Sequence, residues 1–160
     1  MTAETKRGAP AGPRDPARPR RLRLSVQGAA AFPAVPSRST LRRWATLALE
    51  RDAVIVLHFV GTTEGRRLNR EFRGQDHATN VLTFDYMETP VRADIVICVP
   101  VVRMEARTQG KTFRDHLAHL VIHGLLHAQG HDHVSPGQAQ RMERREKRLL
   151  ARLRVADPYA

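Results

Sequence analysis

The segment HGLLHAQGHDH carries the strongest chemical signal in this 160-residue chain. His123 and His127 are four residues apart. On a helix that spacing puts both imidazoles on one face, one turn apart, as a shared metal ion requires. Gly130 follows, and a glycine there can adopt the left-handed conformation that turns the chain back. His133 lies just past the turn and can supply a third nitrogen. Three neutral imidazoles leave one position of a tetrahedral Zn²⁺ open, the arrangement of a catalytic site. A lone histidine reads better as a surface or core residue. Three at H-x₃-H-x₅-H around a glycine turn read as ligands. We therefore expect one zinc ion on His123, His127 and His133, with zinc a preference only, since imidazoles also accept nickel, cobalt and copper.

The spacing equals that of the metzincin proteases, but one residue is missing. Gly124 stands where those enzymes carry a glutamate general base, and the helical segment from His116 to Gly130 holds no acid that replaces it. Peptide hydrolysis by the metal-plus-glutamate route is thereby disfavoured. Zinc alone can still bring its water toward a neutral pKa. His119 and His116 share the face of His123 and read either as partners behind the metal or substrate contacts, or as structural residues. His131 and Asp132 sit in the turn, where Asp132 either orients a ligand or accepts backbone hydrogen bonds.

Elements must hold these residues in place. TFRDHLAHLVIHGLLHAQG reads as a long helix from a Thr112 cap to a Gly130 stop. RLRLSVQ, AVIVLHFV, NVLTFDY and ADIVICV read as four strands. PSRSTLRRWATLALERD is a helix capped by Ser37 or Ser39, with Leu41, Trp44, Leu47 and Ala48 on its apolar face. GTTEGRRLNREFRG gives a turn and a short helix stopped at Gly74, and VRMEARTQGK another near Gly110. A basic amphipathic helix runs from about Pro136 to Leu153 with Met142, Leu149, Leu150 and Leu153 inward. Strands interleaved with helices point to an α+β domain: a small, mixed, mostly parallel sheet of about four strands, covered by helices and carrying the metal on its long helix. Residues 1–20, rich in Pro, Gly, Ala and Arg, read as a disordered basic tail. One domain then spans 21–154, and 155–160 form a C-terminal tail.

Composition narrows the partner. There are 27 Lys and Arg against 16 Asp and Glu, a formal net charge of +11. That balance favours a polyanion, nucleic acid first, or else reflects free use of arginine for solubility. The single Cys98 lies in the apolar run IVICV and reads as a buried thiol of a reducing compartment. No stretch is long and apolar enough for a membrane span or a signal peptide, so a cytoplasmic protein is expected.

Two segments beside HGLLHAQGHDH complete a pattern. LNREFRGQDHATNVLTF, Leu68–Phe84, is similar to the LNxxFRGxDxxTDVLSF stretch of the YbeY-type endoribonucleases, and ADIVIC is close to their GDIVIC strand. The chain resembles that family over roughly residues 41–150, with the motifs in the same order and spacing. The resemblance implies the same zinc ligands and a catalytic or substrate-binding role for Arg73, whose planar guanidinium suits phosphate. It also implies a metal-dependent endoribonuclease acting on single-stranded RNA, in 16S rRNA 3′-end maturation and ribosome quality control, with the ribosome or its proteins as further partners. Asn80, Thr83, Asp85 and Ala93 depart from the family's usual Asp, Ser, Pro and Gly. Two alternatives stand beside this reading: a non-catalytic, zinc-stabilised ribosome assembly factor, and a zinc peptidase.

Overall fold

A computed structural model describes residues 18–160, and the first part of the basic tail, 1–17, lies outside them. The described chain is α+β, as the interleaved pattern predicts. Strands β1 (Leu22–Gln27), β2 (Ala53–Val60), β3 (Val81–Glu88) and β4 (Val91–Cys98) form one sheet in the order β1-β2-β4-β3. β1 and β4 both run parallel to β2, and β3 closes an edge antiparallel to β4. Helices α1 (Arg38–Leu47), α2 (Thr62–Arg73), α3 (Val99–Thr108), α4 (Phe113–Ala128) and α5 (Pro136–Arg152) complete it. None of them is long and apolar enough to cross a membrane.

The ends of the helices follow the side chains that cap them. Ser37 Oγ accepts from Thr40 N, and Thr112 accepts from Asp115 N at 3.1 Å. Ser135 and Gln138 form a reciprocal capping box at the start of α5. Gly74 ends α2 in the left-handed conformation at φ +69°. Several boundaries differ from the sequence expectation: α1 ends at Leu47, short of Asp52, β3 runs on to Glu88, and the start of α3 lies earlier. The fourth strand stops at Cys98, and α3 begins at once on Val99 with Pro100 in its first turn, where a missing N–H costs nothing.

One face of the sheet holds the core. Ile55, Leu57, Ile95 and Ile97 are fully buried there, opposite Leu117, Val121 and Leu125 of α4. α4 is also flanked by α1, α3 and α5. A helix enclosed on so many sides must be apolar nearly all round, and α4 is so except along one stripe.

Candidate metal centre

That stripe consists of His116, His119, His123 and His127. At 3.6 residues per turn the four fall within about 80° of one another around the axis. Each has a named acceptor from another element. His116 Nε2 meets Glu105 Oε2 of α3 at 2.7 Å. His119 Nε2 and His123 Nδ1 meet the two oxygens of Glu146 on α5, at 2.9 and 2.6 Å. His127 Nδ1 lies 3.1 Å from the His131 carbonyl.

Glu146 is completely buried. Burial alone would raise its pKa, but hydrogen bonds from His119, His123 and the Tyr159 hydroxyl outweigh it and hold the carboxyl at about 2. It is therefore ionised and can only accept. The histidine protons follow from this. His123 must carry its proton on Nδ1, because the partner there is an acceptor only. His127 must do so as well, because its partner is a carbonyl. A neutral ring so held presents Nε2 with the lone pair a metal needs.

The turn after α4 is fixed as firmly. The buried Gln129 side chain accepts from Glu50 N at 2.6 Å and donates to Ala48 O at 2.8 Å. Arg51 donates to the Gln129 carbonyl at 2.7 Å. Gly130 turns the chain at φ +97°, as its position predicts. His131 then points its Nε2 at Glu50, 3.0 Å from each oxygen, and its donor atoms are not among those that converge in the groups below. Asp132 accepts from His133 N at 2.7 Å with Oδ1.

Among the described residues two groups of donor atoms converge, each within 4.8 Å: His119, His123 and Glu146, and His127, Asp132 and His133. The expected trio is thus divided between two neighbouring groups. The His133 ring joins them, with its centroid 6.0 Å from that of His123 and 6.1 Å from that of His127. In the first group the facing atoms are already paired with one another through Glu146, which leaves the buried His119 Nδ1 without a partner. The second, with His123 Nε2 beside it, has uncommitted nitrogen donors. The donor set suits a metal that prefers imidazole, backed by a carboxylate and a carbonyl as metal-ligating histidines usually are.

Arg73 lies at the exposed C-terminus of α2, where its Nη2 donates to the Thr83 carbonyl of edge strand β3 at 3.3 Å. Phe72 packs edge-on against Phe84 of the same strand at 5.2 Å. Thr83 pairs with Ile95, whose side chain lies under Gly124, the residue after His123. Arg73 is thus joined to the histidine helix through two adjacent strands. Asn80, where the family pattern has Asp, donates to Glu105 at 3.1 Å, a bond that a carboxylate at 80 would replace with like-charge repulsion.

Gly124 has a structural reason. A Cβ there would sit 2.9 Å from Ile95 Cγ2, so the position faces the sheet and not the histidines. Sequence reasoning did not find Glu146, Glu105, Glu50 or Tyr159. For Glu146 a signal existed: it interrupts the apolar stripe of α5, four residues after Met142 and four before Leu150.

A four-stranded α+β frame carries a histidine stripe backed by a buried carboxylate, whose donors could hold a metal ion. The pattern described as endoribonuclease YbeY matches residues 37–154, and the chain belongs to that family. It is 52% identical over 151 residues to the endoribonuclease YbeY of Bordetella pertussis, covering 86% of this chain and 96% of that one. It is 51% identical over 144 residues to that of Aromatoleum aromaticum, with 88% and 94% covered. Among solved structures, the solution structure of TM1509 from Thermotoga maritima superposes with a TM-score of 0.56 at 29% identity, over 82% of this chain and 91% of that one.

Proposed function

We propose that this protein is a metal-dependent endoribonuclease that hydrolyses phosphodiesters in single-stranded RNA, with one zinc ion on His123, His127 and His133. The observation that carries the reading is the pair of Nδ1 atoms on His123 and His127, each committed to an acceptor, beside the ring of His133. Family membership supports RNA as the substrate class, and the net charge of +11 supports a polyanion. When bound, zinc supplies a Lewis acid at the end of α4.

The chain's own groups do the rest. Glu146 and the His131 carbonyl fix the tautomers and ring orientations of His123 and His127. Arg73 holds a phosphate through its planar fork and offsets charge as it develops. His119 is engaged with Glu146 and serves as a support, not as the base. Processing of 16S rRNA 3′ ends and ribosome quality control in the cytoplasm are the roles we assign, by family. The domain itself is taken as residues 21–154, with tails at 1–20 and 155–160.

Cleavage of a single-stranded RNA by protein free of contaminating nuclease, with and without chelator, tests the reading. Chelator-sensitive cleavage that the His127→Ala protein lacks is expected. Equal cleavage by both proteins would overturn it. A structural metal is the second reading, because the Asp132 carboxylate lies among the donors and would close the site as a fourth ligand.

A further inference from the structure

A second feature lies along a neighbouring face of α5, about a quarter turn from Glu146. Arg145, Leu149 and Arg152 recur at i, i+4 and i+7 and share one helix face. Across from them, Ser39, Arg43 and Leu47 of α1 form a similar row at i, i+4 and i+8. The two rows line a groove of about 620 Å³, joined by Arg42 and by Arg20 from the segment before β1. Five of its lining residues are arginines and none is acidic. Its floor is aliphatic, from Leu47, Leu49 and Leu149.

The arginines are poorly compensated. Arg42 gives one bond to the Leu22 carbonyl at 3.1 Å. Arg145 Nε lies 3.3 Å from Glu50 Oε1 but makes no hydrogen bond there. Arg20, Arg43 and Arg152 have no ion pair among the described residues. Five guanidinium groups around one groove repel one another unless an anion joins them. The groove also adjoins the metal centre. Glu50, beside Arg145, accepts from His131, and the His131 carbonyl accepts from His127.

We infer that the groove between α1 and α5 is a binding track for the phosphate backbone of single-stranded RNA, outside the cleavage site. The inference rests on the ribonuclease reading for the identity of its polyanion. Guanidinium groups grip successive phosphates in pairs of parallel hydrogen bonds. No aromatic side chain lines the groove, so bases are not stacked and the track is indifferent to sequence. It adds affinity to long substrates and leaves chemistry to the histidine site.

The test compares two double variants of the full chain. Arg43→Gln with Arg152→Gln empties the groove of two charges. Arg103→Gln with Arg107→Gln removes two from α3, on another flank of α4. Binding of a fluorescein-labelled oligouridylate is followed by anisotropy across a salt series, with intactness checked on a gel. The groove variant is expected to bind about tenfold more weakly or worse, and its salt slope to fall by about 1.4, at about 0.7 per lost phosphate contact. Its KM for the same RNA rises while kcat stays near the wild-type value, and the α3 variant keeps the wild-type slope. Equal losses in both variants would make this bulk charge, and no loss in the groove variant would leave the groove unused; either result overturns the inference. So would unchanged RNA binding with weakened binding of poly-glutamate, which would mark an acidic protein partner. Wild-type protein that binds through the groove but never cleaves would sink the ribonuclease reading alone.

Discussion

His123 Nδ1 and Glu146 Oε1 are 2.6 Å apart, and this contact joins the histidine helix α4 to α5 across 23 residues of sequence. The carboxylate does two things at once. It selects the tautomer that bares Nε2, and it gives a half-buried imidazole a fixed orientation. Removing it should therefore be felt at the metal before it is felt in the fold. For Glu146→Gln we expect metal affinity to fall about 10–100-fold, measured by competition with a chromogenic chelator. Tyr159→Phe should cause a smaller loss, because the ring keeps its edge contact with His119 at 5.6 Å and only one donor to Glu146 is gone. Unchanged affinity in both variants would show that the histidines are positioned without Glu146.

The ligand set makes a second prediction. His127→Ala or His133→Ala should leave substantially less than one zinc per chain by elemental analysis. Because the metal binds only the folded chain, wild-type protein should lose thermal stability when chelated, by about 4 kcal/mol where free zinc exceeds Kd about 1,000-fold. The His127→Ala protein should melt at one temperature with or without chelator. Full zinc occupancy in that variant would remove His127 from the set.

Arg73 separates charge from geometry. Its one bond, to the Thr83 carbonyl, is long at 3.3 Å and only part-buried, so Arg73→Ala should keep its zinc and lose about 1 kcal/mol of stability. If the guanidinium offsets charge in the transition state, Arg73→Ala should cleave RNA about 10²–10³-fold more slowly. Arg73→Lys should recover only part of that, having the charge without the planar fork. Wild-type rates in Arg73→Ala would exclude Arg73 from the mechanism.

Gly124→Ala tests the helix–sheet contact. Alanine improves helix propensity by about 1 kcal/mol, but a methyl at 2.9 Å from the buried Ile95 overpacks the interface by about 1–3 kcal/mol. We expect a net loss of up to about 2 kcal/mol in denaturant unfolding. A double-mutant cycle with Ile95→Ala should show favourable coupling between the two changes. A more stable Gly124→Ala protein with no coupling would mean that the helix moves freely over the strand.

How much of this was legible in the sequence depended on whether the cause was local. The turn at Gly130, the caps at Ser37 and Thr112 and the stop at Gly74 are short-range features that the residues announce. The face shared by His123 and His127 follows from helical periodicity alone. Glu146 could not be assigned in that way, because its partners lie on another helix and only packing brings them together. Its one local trace was an acid on an apolar stripe. Glu50 and Tyr159 left no such trace. Gly124 read as an absent base; only the register of α4 over β4 shows that the position points at Ile95. The extra turn of α3, entered through Pro100, was hidden because an apolar strand ran straight into an apolar helix.

The contact between Gly124 and Ile95 also bears on how such a site can change over generations. A glutamate introduced at 124 would not simply be added to the metal centre. It would have to lift the central helix from the sheet or wait for a smaller residue at 95, and either step passes through a weakened protein. Two chemistries that share a histidine spacing are thus kept apart by a helix–strand distance. A single substitution at 124 therefore does not lead from this chain to a metal-plus-glutamate peptidase.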